Sequence, residues 1–193
     1  MTETSTATTK RMLDAAQMCF SSYGFQKTSM EDIAREAGVS RGSIYRHFPD
    51  KESLYGAVAA DQARRYIEEL RRRTAPLGSL TDQLVEAADL TVAFLQDNPL
   101  NAAMQRTDPD AFIHLLTTDS HDLLSMGVEA VIPLIEAAVE RGEVRPDLDV
   151  RRAAEWMTRI VFSLIVTPAV TFDRDDPAQR QQFIRDFLVP GLS

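Results

Sequence analysis

The 193-residue chain holds a single cysteine, Cys19. One thiol cannot close an internal disulfide, and a reducing cytoplasm suits such a chain. Cys19 sits beside Phe20 in a helical pattern and reads as a packed thiol. A redox sensor would want a second cysteine to resolve it. No apolar run reaches the eighteen or so residues that a membrane helix needs, so no membrane partner is expected. The N-terminal MTETSTATTK has no hydrophobic signal core, and residues 1–8 read as a disordered tail. There is no phosphate-cradling glycine loop, no paired-cysteine metal motif and no nucleophile elbow. Neither an enzyme nor a resident cofactor or metal is expected. Internal repeats and alternating strand patterns are also missing, which leaves an all-α chain.

Apolar residues make up 44% of the sequence, enough for one large domain or a small one joined to a larger one. The net charge of -8 looks wrong for a polyanion-binding protein until it is divided. Residues 1–75 carry 12 Lys and Arg against 10 Asp and Glu, a balance of +2, while residues 76–193 carry 9 against 19, a balance of -10. The basic bias lies in the first part, and the acidic part would be held away from a phosphate backbone.

Within that first part, SMEDIAREAGVSRGSIYRHF over residues 29–48 predicts two short helices and a tight turn. Ile33, Ala34 and Ala37 form the apolar stripe of the first helix. Gly38 stops it in the left-handed conformation, Val39 plugs the turn and Ser40 caps the second helix. Ile44 and Phe48 face inward on that helix. Arg41, Gly42, Ser43, Tyr45, Arg46 and His47 face outward and include no acid. Two helices crossing through a glycine turn form a helix-turn-helix, whose second helix can enter a DNA major groove. Arg41 and Arg46 can fork onto guanine edges. Tyr45, His47 and backbone amides can hold phosphates, Ser43 can serve either purpose, Gly42 allows close approach, and the DNA-facing run extends from Ser40 to His47. Thr28 and Ser29 are N-cap candidates with Glu31 and Asp32 in capping-box register, and either could instead touch a phosphate. Lys51 falls in the first turn of a long helix capped by Asp50. A cation there opposes the helix dipole, at a cost of a few tenths of a kcal/mol that a bound phosphate would offset.

From Thr9 to Leu54 the chain resembles the N-terminal domain of the TetR family of transcriptional regulators. The matching runs are LDAAQMCFSSYGFQKTSM, EDIAREAGVSRGSIYRHF and PDKESL, with Tyr45, His47, Phe48 and Lys51 on the family's motif positions. The resemblance implies a helix-turn-helix domain over 9–55 and a helical effector-binding and dimerisation domain over 56–193. It also implies a homodimer on a palindromic double-stranded operator, backbone contacts at Thr28 and Ser29, and a small-molecule effector pocket among the later helices.

Those later helices carry bulky residues suited to a pocket, of which Phe94, Met104, Phe112, His114, Met126 and Trp156 are the candidates. Asp110 and His114 are four apart, but the break expected over Thr117–Ser120 spoils the register with His121 for a metal. Pro133 should kink or split the helix over His121–Glu140. Val150–Val166 is apolar over a wider sector than one buried face needs, so it is either fully internal or meets a second subunit. The expected function is a ligand-responsive repressor that binds DNA. An activator of the same fold and a ligand-binding scaffold without operator binding remain the alternatives.

Overall fold

The computed structural model describes residues 3–117, 121–188 and 190–192, and every regular element among them is helical. The chain divides into two compact units, Met1–Tyr66 with Asp97–Phe112, and Ile67–Gln96 with Ile113–Ser193.

In the first unit, helix α1 spans Glu3–Tyr23, α2 Met30–Glu36 and α3 Arg41–His47. They are followed by α4, which runs over Lys51–Thr74, and by α6, Pro99–Thr107. Helix α1 starts at Glu3, inside the stretch read as tail, since a formed helix extends one residue at a time at little cost. Its buried stripe is Met12, Ala15, Ala16, Cys19 and Phe20, with Leu13 only half-buried beside it. Tyr23 is exposed, because the last turn projects past the packed layer. Cys19 is buried, and burial first of all pushes its thiol pKa up, as a packed thiol requires. Gly38 has φ +63° and the Val39 and Gly38 amides donate to Ala34 and Arg35, the bond pair that terminates a helix through a left-handed residue. Phe20, Ile33, Ile44, Leu54 and Val58 fill the core beneath.

This unit is larger than residues 9–55. Helix α6 belongs to it, with Leu100 in the same apolar cluster as Phe20. Asn98 caps α6 by accepting from the Leu100 amide at 2.9 Å, and its own amide donates to Gln62 Oε1 at 2.7 Å. The sequence places α6 forty residues beyond the head, and only packing brings it back.

The second unit holds α5 (Leu80–Gln96), α8 (His121–Glu140), α9 (Val150–Val166), α10 (Pro177–Phe183) and a π-helical turn over Ile184–Leu188. Helix α7, Pro109–Thr117, crosses the division, as α4 does. Leu80, Leu84, Ala88, Ile135, Ala154, Met157, Ile184 and Leu188 form its core. Helix α8 runs unbroken through Pro133, whose missing N–H costs one ladder bond that the packing of Val131 and Ile135 offsets. At Gly127 a β-carbon would lie 2.6 Å from Thr158 Cγ2, so α8 and α9 approach closely there. Phe187 is 64% exposed, because the π-turn rotates it away from the buried Ile184 and Leu188. Thr118–Ser120 and Val189 lie outside the described residues.

A candidate nucleic-acid interface on the third helix

Local chemistry builds the surface of α3. Ser40 caps the helix, with its Oγ accepting from the Ser43 amide at 3.1 Å. Ile44 and Phe48 are buried and fix the rotation of the helix. That rotation leaves Ser40, Arg41, Gly42, Tyr45, Arg46 and His47 exposed and Ser43 half-buried. The expected ridge is therefore present. Ser29 forms the expected capping box: the Asp32 amide donates to Ser29 Oγ at 3.2 Å, and the Ser29 amide donates to Asp32 Oδ2 at 3.3 Å. The Ser29 hydroxyl, followed by the Arg35 guanidinium, holds the Asp32 carboxyl below the usual carboxylate range.

Three details differ from the sequence reading. Arg41 Nη2 lies 2.9 Å from Glu31 Oε1 of α2, so the ridge has an acid beside it that the α3 pattern alone does not show. The same guanidinium sits 5.6 Å from the Tyr45 ring centroid, so an acid and a ring both hold the arginine in the free protein. Thr28 is not a surface residue. Its side chain is buried and its hydroxyl donates to Gly24 O at 2.8 Å, which turns it away from any phosphate. Lys51 does not point at solvent either. Its ammonium donates to Phe25 O at 2.8 Å and Thr28 O at 3.1 Å and lies 4.3 Å from the Phe25 ring centroid. The offset to the α4 dipole is supplied by carbonyls and a π face, and Lys51 pins the α1–α2 turn.

His47 Nδ1–H donates to Ser43 O at 2.9 Å. In the neutral ring Nε2 is then an acceptor, so a phosphate bond through it requires the doubly protonated imidazolium.

The six effector-pocket candidates do not converge. Phe94 and Met126 are half-buried, His114 is exposed, and Trp156 is 39% exposed with its ring against Gly191. These four lie in the second unit, whereas Met104 and Phe112 lie in the first. Of the six, only Met104 lines the cavity found in the first unit, together with Phe20, Phe25, Tyr55, Leu100 and Ala103. Amphipathic spacing identifies bulky residues but not which helices face one another, so it could not assemble this set. The usable signal was the aromatic pair Phe20 and Phe25 bracketing the Gly24 turn. Among the described residues there is no acid, histidine and cysteine cluster able to hold a metal, and no helix long and apolar enough to cross a membrane.

Residues 12–58 match the model of the bacterial regulatory proteins, tetR family. An uncharacterized HTH-type transcriptional regulator of Mycobacterium tuberculosis is 29% identical over 182 residues, 93% of this chain and 83% of that one. Over residues 12–58 the chain carries a TetR-family helix-turn-helix domain. The protein is a DNA-binding transcriptional regulator with its helix-turn-helix at α2 and α3. The A-factor receptor protein of Streptomyces griseus is 26% identical over 142 residues, 74% of this chain and 48% of the receptor. The solved TetR-family repressor AlkX of a Dietzia strain, implicated in biodegradation of n-alkanes, superposes with a TM-score of 0.67 at 25% identity, covering 94% of this chain and 96% of AlkX.

Proposed function

We propose that this regulator is a ligand-responsive repressor that acts as a cytoplasmic homodimer on a palindromic operator. The observation that carries the reading is the exposed, capped α3 ridge, oriented by the buried Ile44 and Phe48. Each subunit places α3 in one major-groove half-site, with half-sites about one helical turn apart. Arg41 and Arg46 read base edges. Tyr45, Ser40 and the charged form of His47 hold phosphates. Gly42 admits the backbone closely and Ser43 serves either purpose. Ser29 contributes its place at the α2 N-terminus. Exposed Trp156 and Phe187 support a second copy covering the α9 end of the other unit.

The effector is a small molecule taken among the helices of the second unit, where half-buried Phe94 and Met126 are the candidates. That the Streptomyces griseus relative is a receptor for A-factor supports ligand response, and that AlkX is a repressor supports repression. Effector binding shifts the coupling between two states of the dimer, so the head spacing no longer fits the operator. The reading assigns no enzymatic activity. The test is selection of genomic fragments by gel shift, followed by native mass spectrometry of the protein and its complex. Two subunits per fragment are expected, with Arg41→Ala relaxing base preference and costing about 1–3 kcal/mol. No retained fragment at low salt would leave the scaffold reading in its place.

A further inference from the structure

A cavity of about 280 Å³ lies wholly within the DNA-binding unit, between α1, the start of α4 and α6. It is distinct from the effector site proposed among the helices of the second unit. Its walls are apolar. The rings of Phe20, Phe25 and Tyr55 stand round it, with centroids 5.2 Å apart for Phe20 and Tyr55 and 5.3 Å for Phe25 and Tyr55, both edge to face. Leu100 and Ala103 close it from α6. An apolar cavity of roughly 150 Å³ takes up benzene, so this one has room for a ring with a short substituent, at the lower end of ligand-pocket sizes.

Two features set the chemistry of an occupant. The Tyr55 hydroxyl donates to Met104 Sδ at 3.7 Å, and a thioether is a weak acceptor. Burial pushes the Tyr55 pKa up, so the group stays a donor through neutral pH. An oxygen acceptor on a ligand would take that proton in place of the sulfur. The polar rim is made by exposed Gln26 and Asp108, and the lining has no cation, which disfavours an anion.

We propose that this cavity is a binding site for a small neutral molecule, an aromatic or compact aliphatic body bearing one hydrogen-bond acceptor directed at Tyr55 Oη. Its location gives it a route to the DNA surface. Phe25 is both a wall of the cavity and, through its carbonyl, an anchor for Lys51. Thr107, also in the lining, packs on Gly24, where a β-carbon would lie 2.8 Å from Thr107 Cγ2. An occupant therefore acts on the turn that leads directly into the Ser29 cap of α2.

The test uses the full chain with ¹³C-methyl methionine and no DNA, so its result is separate from that of the gel shift. Acetophenone, ethylbenzene and benzoate are the probes, and Met104→Leu assigns the Met104 methyl signal. Acetophenone and ethylbenzene should move that signal saturably and benzoate should not. Tyr55→Phe should weaken acetophenone about 3–10-fold, the worth of one neutral hydrogen bond, while ethylbenzene is unchanged. Ala103→Leu should fill the space and abolish both shifts. No saturable Met104 shift would overturn the proposal. So would a shift at Met126 or Met157 of the other unit instead of Met104, or equal binding of all three probes.

Discussion

Replacing Lys51 with methionine separates a phosphate contact from a structural strut. Methionine keeps the apolar stem and removes the ammonium. The structure assigns that ammonium two charge-assisted bonds, to Phe25 O and Thr28 O, and a ring face at 4.3 Å. Each such bond contributes about 1.5 kcal/mol at the low end of its range, and the ring face about 0.5 kcal/mol at a partly exposed site. Water returning to the half-buried carbonyls, and relief of a cation at the α4 N-terminus, offset part of this. The expected loss is about 2–3 kcal/mol, or ~4–12 °C in melting temperature for a chain of this size. Urea denaturation followed by helical circular dichroism reads it. DNA affinity measured by fluorescence anisotropy between low and moderate salt supplies the second readout. A phosphate contact adds about 0.9 to the salt slope, and Lys51→Met should leave that slope within roughly 0.3 of the parent. An unchanged unfolding midpoint together with a slope lower by about one would refute the strut.

Glu31→Gln frees Arg41 from its exposed partner at 2.9 Å. Such a pair is worth about 0.2–1 kcal/mol, so DNA affinity at low salt should rise by up to about fivefold, and a fall in anisotropy-measured affinity would count against a restraining role for Glu31. In the second unit, Asp89 Oδ1 accepts from Arg180 Nε at 3.0 Å and Nη2 at 2.7 Å, and its Oδ2 accepts from Gln181 at 2.7 Å. Asp89→Ala leaves a buried guanidinium unpaired and should cost about 3–5 kcal/mol in urea, with Arg180→Met in the same chain recovering most of it. The Asp32 carboxyl is held below its ordinary 3.8 by the Ser29 hydroxyl, then by Arg35. The unfolded chain then binds the extra proton first. The contribution is thus present above about pH 4 and lost as pH falls toward the lowered folded value. Acid titration of Asp32→Asn should show a shallower loss than the parent, and an identical acid limb would remove the capping box from the account.

Much of the protein was legible without coordinates, and its parts share a range of three to five residues along the chain. The Ser29–Asp32 box, the Gly38 stop, the Ser40 cap and the outward set of α3 follow from neighbours one turn apart. At that range backbone geometry fixes which groups meet. The rotation of α1 is not fixed at that range, since adjacent apolar positions such as Met12 and Leu13 satisfy the same period and only the packed partner chooses between them.

The sequence by itself determined the ends of α2 and α3 and which side chains α3 presents, because caps, turns and periodicity are local interactions. Tertiary structure alone decided that Lys51 reaches back 26 residues to Phe25, that Thr28 turns inward onto Gly24, that Glu31 meets Arg41, and that α6 returns to close a cavity against Phe20 and Tyr55. Those contacts join segments whose separation along the chain carries no periodic signal, and only burial of apolar surface on several helices at once selects them.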